Sequence, residues 1–241
     1  MLQLPPVTKA LLLACIAVFC VQSLLPILPL ESFLALWPLG SGQFWPWQLV
    51  SYGFLHGDFT HLLFNMLGLW MFGRELEQLW GPKRYVHLLL AGVVTAALAQ
   101  LVVTLLLGSR APTVGASGAL YGLLLAYALV FRSRMFDLVG LLPMLLMMLP
   151  GQIFQTLGMM LFVLLLANRQ MVPIPPIMIP AMTMVAIFGG IELFMGLMYY
   201  RNSGIAHFAH LGGMLGAWLL IRHWRSGGGS GRARSKVRRV H

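Results

Sequence analysis

The sequence predicts an all-α, polytopic membrane protein: a bundle of six transmembrane helices with an extra apolar hairpin between the fourth and fifth spans. Hydrophobic residues make up 59% of the 241-residue chain and charged residues only 9%, against roughly 25% charged in an ordinary soluble domain. Six apolar runs separate along the chain, and about six spans of ~20 residues fit its length. A soluble enzyme, a disordered chain and a secreted disulfide scaffold are excluded, because one soluble core could not bury this much apolar surface.

The six apolar runs are long enough to be helices, which satisfy their own backbone hydrogen bonds in lipid. The predicted spans cover about residues 10–30, 61–79, 85–107, 117–131, 180–199 and 205–224. Residues 31–60 form an aromatic-rich outer segment, whereas residues 137–169 are apolar but interrupted by proline and glycine. Pro150-Gly151 is typical of a turn, and its two flanking arms are too short to cross a bilayer. We therefore expect a helical hairpin that dips into the inner leaflet or lies along it, and returns.

The distribution of Lys and Arg predicts the orientation. If the N-terminus is cytoplasmic, fourteen of the sixteen basic residues lie in inside segments, and only Arg110 and Arg201 lie outside. The positive-inside rule then places both termini in the cytoplasm, as in a bacterial inner membrane. Residues 1–225 form the predicted transmembrane domain and residues 226–241 a flexible polybasic tail. Seven basic residues from Arg222 onward indicate anionic inner-leaflet lipid, rather than nucleic acid, as the partner of this tail.

Ser117 stands where the fourth predicted span begins, in Gly115-Ala116-Ser117-Gly118. Fifteen residues cover about 22 Å, which is short of the ~30 Å hydrocarbon core. The start of this helix is therefore expected below the outer surface, where irregular backbone requires a wet or protein-enclosed cavity. On its own, Ser117 is better explained as a helix cap beside turn glycines than as a nucleophile.

His210 in the last span changes that balance, because an ionisable group inside a bundle is a functional candidate. The simpler interpretation is a histidine satisfied by a neighbouring carbonyl. Small residues on both spans predict close helix contact: Gly118, Gly122 and Ala126 on the fourth, and Gly212 and Gly216 on the last, with Gly213 and Ala217 alongside. Such contact can bring Ser117 to an imidazole that activates it as a nucleophile.

His61 and Asn65 are four residues apart, on one face of the second predicted span. They either bond to each other or donate hydrogen bonds to a developing oxyanion. His56, just before this span, is interpreted as structural, bonding the outer loop. Of the six acidic residues, only Glu192 lies well inside a span, which favours a Ser-His dyad over a triad. The sequence contains neither metal-ligand spacing nor a phosphate-binding loop, so we expect no metal and no other cofactor.

Three stretches in this order resemble the rhomboid intramembrane serine proteases: HGDFTHLLFNMLGLWMFGRELEQLWG, GASGALYGLLLAYALVF and GIAHFAHLGGMLGAW. The resemblance covers about residues 9–224 and implies a six-helix core with a cavity open to the outer face. It implies Ser117 as the nucleophile. The family's catalytic histidine is followed three residues later by glycine, which identifies His210 with Gly213 and excludes His207.

The same resemblance implies an oxyanion hole made of His61, Asn65 and the Ser117 N–H, with Tyr121 packed against the catalytic histidine. Residues 137–169 depart from the family pattern. The predicted function is that of an intramembrane serine endopeptidase, which cuts membrane-protein substrates in or near a transmembrane segment. One alternative is a catalytically silent rhomboid-like protein that escorts membrane clients, which would lack the serine or the histidine. A channel or transporter is the other, and it would show an inverted repeat.

Overall fold

The computed structural model of the chain describes residues 4–199 and 206–226. The fold is mostly helical. The predicted polybasic tail, apart from Ser226, lies outside the described residues, as does Arg201. The chain divides into two compact units, one formed by residues up to Tyr127 together with those from Phe208, and the other by residues 128–207.

Ten helices and two short strands make up the described chain. The helices are α1 (Pro6–Leu24), α2 (Leu30–Leu34), α3 (Gln48–Ser51), α4 (Phe59–Gly68), α5 (Arg74–Leu107), α6 (Ser117–Val130), α7 (Leu138–Met147), α8 (Gln152–Ala167), α9 (Ala181–Tyr199) and α10 (His207–Ser226). The strands are β1 (Met135–Asp137) and β2 (Met178–Pro180). Short 3-10 turns span Leu39–Ser41, Tyr52–Phe54 and Arg169–Met171, and a π-helical turn spans Leu69–Gly73.

α4 and α5 follow each other through the wide turn Leu69–Gly73, and the main break comes later, inside α5. Gly81 has φ +78°, in the left-handed region that favours glycine. Pro82 follows it, and proline is well suited to the first position of a new helix because it lacks the N–H. The two predicted spans at 61–79 and 85–107 lie on either side of this break.

The buried carboxylate of Glu77 fixes the start of α1 within the first unit. It accepts hydrogen bonds from the backbone N–H groups of Val7 (2.9 Å) and Thr8 (2.7 Å) and from the Thr8 hydroxyl (2.7 Å). The free N–H groups at a helix N-terminus favour a negative charge. A residue some 70 positions along the chain thus supplies the cap that Pro5 cannot provide.

The outer segment between α1 and α4 is tied to the loop that precedes α6. Leu36 and Thr113 exchange two backbone hydrogen bonds of 2.9 Å, and the Gly115 N–H donates to the Tyr52 carbonyl over 2.9 Å. The Tyr52 hydroxyl in turn donates to the Val93 carbonyl of α5 over 2.9 Å. These bonds set the path of the backbone that enters α6 at Ser117.

In the second unit, β1 and β2 pair antiparallel, with Met135 opposite Pro180. Asp137 accepts a bond from Arg169 at 3.2 Å, which ties the start of α7 to the segment after α8. α7 and α8 pack closely on either side of the Pro150-Gly151 turn: a methyl group added to Gly158 would lie 2.8 Å from the Pro143 carbonyl oxygen. How this pair of helices meets the membrane stays a prediction.

Within the described residues, three helical stretches are long and apolar enough to cross a membrane: Pro6–Leu24, Phe59–Leu107 and Ala181–Tyr199. The first ends before the predicted residue 30, because Pro26 disfavours a helical conformation in the residue that precedes it. α6 has only 14 residues, as short as expected. Since α6 is short and α10 carries histidines and arginines, the count of six spans stays a prediction.

Candidate active site

Ser117 and His210 meet where two helices begin. α6 starts at Ser117 and α10 carries His210 in its first turn. The Nε2 atom of His210 lies 2.8 Å from Ser117 Oγ, across 93 residues of sequence. The imidazole is buried, with 7% of the residue exposed. A serine hydroxyl within hydrogen-bond reach of a histidine nitrogen is the geometry that activates a nucleophile.

Backbone contact between α6 and α10 allows this approach. Gly213 lies against the Gly118 carbonyl so closely that an added methyl group would overlap the oxygen. Gly212 and Gly216 instead face α5, where a methyl on Gly212 would lie 2.8 Å from the Thr95 carbonyl oxygen. The expectation that Gly212 and Gly216 meet the fourth span is therefore wrong. Successive helical residues are rotated by about 100°, so neighbouring glycines serve two different helices.

Tyr121 holds the plane of the His210 ring. The two rings stack with centroids 4.3 Å apart and an angle of 7° between their planes. Tyr121 lies one helical turn after Ser117, so the serine and the stacking ring project from the same face of α6. The structure thus brings together the three side chains that the sequence placed in one site on two spans.

His61 and Asn65 face the loop that leads to Ser117. Gly115 has φ +120°, and a methyl group at this position would lie 2.6 Å from His61 Nε2 and 3.6 Å from Asn65 Nδ2. Both the positive φ and the lack of space for a methyl group restrict this position to glycine. Asn65 is 4% exposed, and its Nδ2 has no hydrogen-bond partner in the described part of the chain. Two polar side chains of α4 therefore line the approach to the serine.

Asp58 orients the start of α4 and was not singled out from the sequence. Its Oδ1 accepts the His61 backbone N–H at 2.8 Å, which makes it the N-cap of the helix. An aspartate just before an apolar helical run is the signal that could have identified it. The Gly57 N–H points at His61 Nδ1 over a long 3.5 Å.

His56 precedes α4, and its expected structural role of bonding the outer loop stays a prediction. Its backbone N–H donates to Gln22 Oε1 of α1 (3.2 Å). Neither ring nitrogen has a partner among residues 4–199 and 206–226. The ring meets His61 edge-on, with centroids 5.2 Å apart. Burial, with a smaller contribution from His61, lowers the pKa of His56 from 6.5 to about 4.

The intramembrane acid Glu192 pairs with His207. In the second unit, Glu192 Oε2 lies 2.6 Å from His207 Nδ1, and both side chains are buried. The one carboxylate that the sequence places well inside a span is therefore next to His207. In the described parts of the chain, no three His, Cys, Asp or Glu side chains come together as a metal site would require.

Comparison with known proteins gives a consistent result. The Rhomboid domain model matches residues 42–161, which include His61, Asn65 and Ser117 and end before His210. The chain is 38% identical over 96 residues to the Rhomboid protease GlpG of Klebsiella pneumoniae, covering 39% of this chain and 34% of that protein. It is 31% identical over 123 residues to the Rhomboid protease GlpG of Yersinia pestis, covering 51% of this chain and 42% of that protein. The matches thus span less than half the length of these relatives.

Proposed function

The chain belongs to the rhomboid family, and from that premise we propose that it is an intramembrane serine endopeptidase. The observation that carries the proposal is the 2.8 Å separation between Ser117 Oγ and His210 Nε2. Relatives named as rhomboid proteases support the same chemistry. A silent family member would have no need to keep a serine and an imidazole in this geometry.

In the proposed reaction, Ser117 Oγ attacks the scissile carbonyl carbon while His210 Nε2 takes the hydroxyl proton. The tetrahedral intermediate collapses as His210 gives that proton to the leaving amine and the C–N bond breaks. Water then attacks the acyl-enzyme ester, His210 takes a proton from it, and this proton returns to Ser117 Oγ. The carboxylic product leaves and the enzyme is restored.

The developing oxyanion would be held by His61, Asn65 and the Ser117 N–H. Two observations support this assignment: Gly115 brings the loop before Ser117 against both α4 side chains, and the Asn65 Nδ2 donor has no partner in the described chain. A contact from the Gly57 N–H to His61 Nδ1 favours the neutral tautomer with its proton on Nε2, the atom that faces the loop. Donors aimed at the developing charge stabilise the transition state.

Stacking takes the orienting role that a carboxylate has in a triad. The face of the His210 ring is held by Tyr121 at a centroid distance of 4.3 Å, while Glu192 is engaged with His207. A dyad is the proposed catalytic unit because Tyr121 stacks on the imidazole and the buried carboxylate of Glu192 contacts His207. Stacking restricts the ring to a plane in which Nε2 lies 2.8 Å from Ser117 Oγ, and this restriction lowers the entropic cost of proton transfer.

The proposed substrates are membrane proteins, cut in or near a transmembrane segment. The family and the apolar helices make the chain an integral membrane protein. A nucleophile at the start of the short α6 would meet peptide bonds at membrane depth. Both termini in the cytoplasm, and anionic lipid as the partner of the basic tail, belong to the same proposal.

Cleavage by the purified protein in detergent tests the proposal, with a panel of single-span membrane proteins as substrates. Ser117→Ala and His210→Ala should abolish product formation. Ser117→Ala should stay folded, since a lost helix-start hydroxyl costs about 1 kcal/mol. Ser109→Ala is the matched control, an exposed serine in the same loop, and should cleave at the wild-type rate. Undiminished cleavage in Ser117→Ala would falsify the assignment of the nucleophile. A wild-type protein that binds substrates without cutting any would support the silent alternative.

A further inference from the structure

A buried carboxylate–imidazole pair lies outside the proposed reaction. Glu192 on α9 and His207 at the start of α10 are joined by a 2.6 Å contact between Oε2 and Nδ1. Their side chains are 0% and 1% exposed. Removing one member of such a pair takes a close polar partner from the other in an apolar interior, which is costly. The pair therefore holds its two backbone attachment points at a defined separation.

His207 is the first residue of the helix that carries His210. One turn separates the two histidines, and the helix is continuous between them. The first backbone N–H groups of a helix have no intrahelical partner, so the first turn is the part that the helix itself fixes least. A buried side-chain bond at the first residue compensates for this.

We propose that Glu192 and His207 are positioning residues that fix the first turn of α10 and thereby hold His210 at bonding distance from Ser117. This inference rests on the proposed function, because it assigns the pair a role in that reaction. Neither residue touches the reacting atoms. Their effect passes along three residues of α10 to an imidazole whose Nε2 must stay within hydrogen-bond reach of Oγ.

A merely structural role makes different predictions. If the pair only satisfies two buried polar groups, its loss lowers the folded fraction and leaves the turnover of the remaining folded enzyme unchanged. If the pair positions His210, kcat falls in fully folded enzyme while KM stays nearly constant, because substrate binding does not depend on proton transfer. A displacement of about 1 Å at a reacting group costs on the order of 100-fold in rate.

The experiment compares kcat and KM of variants at Glu192, corrected for the folded fraction of each preparation. Glu192→Leu should lower kcat by about tenfold or more with KM within about twofold. Glu192→Gln should retain most of the activity, because its amide oxygen still accepts the His207 Nδ1 proton. The matched control is Met195→Leu, a buried residue one turn along α9, where a swap of similar volume should leave kcat unchanged.

Glu192→Asp covers the case in which Glu192→Leu does not fold. It keeps the carboxylate but withdraws it by one methylene, so the shortened side chain displaces His207, and kcat should fall by about tenfold. Wild-type kcat in folded Glu192→Asp, or a loss in Glu192→Leu fully explained by unfolded protein, would overturn the proposal.

A readout that does not require cleavage separates this proposal from the proposed function. In protein labelled with ¹⁵N-histidine, the ring signals of His210 are assigned by their loss in His210→Ala. Glu192→Leu and Glu192→Asp should displace these signals, and Met195→Leu should leave them in place. If the two variants displace the His210 signals but the wild-type protein cleaves no substrate, the result would support the positioning role and refute the protease assignment. If the wild-type protein cleaves its substrate but the His210 signals stay in place in both variants, the result would refute the positioning role and leave the protease assignment intact.

Discussion

Gly213 of α10 lies directly on the backbone carbonyl of Gly118 in α6, with no space between them for a methyl group. Ser117 precedes Gly118 by one residue, and His210 precedes Gly213 by three. The distance between the two helix backbones therefore sets the distance between the hydroxyl and the imidazole. Small residues make such close approach possible between helices in a membrane.

Gly213→Ala should separate the two helices and disable the site. The added methyl group would overlap the Gly118 oxygen, so α10 must move away from α6, and overpacking of this kind costs about 1–3 kcal/mol. We expect a lower thermal midpoint and at least a tenfold loss of cleavage, by analogy with small displacements in other active sites. Gly190→Ala is the control, since a methyl there meets no atom within 4 Å. Equal behaviour of the two variants would contradict the account of the helix contact.

His61→Ala and Asn65→Ala should each lower kcat by about 10- to 1000-fold without eliminating cleavage, because each removes one proposed donor to the oxyanion and leaves Ser117 and His210 intact. His87→Ala serves as the control, an exposed histidine on α5. Steady-state kinetics on one substrate measures the effect. A change confined to KM would mean that these side chains bind substrate rather than the transition state.

The folded protein should lose stability as the pH falls from about 6.5 toward 4, with His56 as one cause. The buried ring has its pKa lowered from 6.5 to about 4. Above pH 6.5 the ring is neutral in both the folded and the unfolded chain. Between the two values the unfolded chain takes up a proton that the folded chain does not, so unfolding is favoured as the pH drops.

His56→Phe isolates this contribution, since phenylalanine is similar in shape and does not titrate. Thermal midpoints measured across pH 4–8 should fall less steeply at the acidic end in the variant than in the wild type. Parallel curves for the two proteins would show that His56 does not take part in the acid transition. Because His56 lies outside the proposed dyad, cleavage near neutral pH serves as the check that the variant is folded.

α7 and α8 should dip into the inner leaflet or lie along it, rather than cross the bilayer. Their 10 and 16 residues span about 15 Å and 24 Å, both below the ~30 Å hydrocarbon core. With Cys15 and Cys20 replaced, a cysteine introduced at Gln152, the first residue of α8 after the Pro150-Gly151 turn, should resist membrane-impermeant reagents added outside sealed, oriented vesicles. A cysteine at Gln43, exposed in the outer segment, should react under the same conditions. Ready labelling at Gln152 from outside would indicate two full spans.

The class of protein follows from the sequence alone, because hydropathy belongs to each residue regardless of its neighbours. The sequence also predicts that the helix beginning at Ser117 is short, because the number of residues in the apolar run sets the length of the helix. The π-helical turn at Leu69–Gly73 was not visible, and the end of α1 was misplaced by several residues. Local turn chemistry did locate the Pro150-Gly151 turn, since proline and glycine restrict or permit backbone angles locally.

Only the tertiary structure decided which groups meet. Gly212 and Gly213 are adjacent and identical in sequence, yet one faces α5 and the other α6. The packing of three helices selects that rotation, which no periodicity in α10 alone encodes. Glu77 caps α1 across about 70 residues, and Glu192 pairs with His207 rather than His210. A carboxylate in an apolar helix requires a partner, but the sequence cannot say which one, because the partner is whichever polar group the packed backbone brings within about 3 Å.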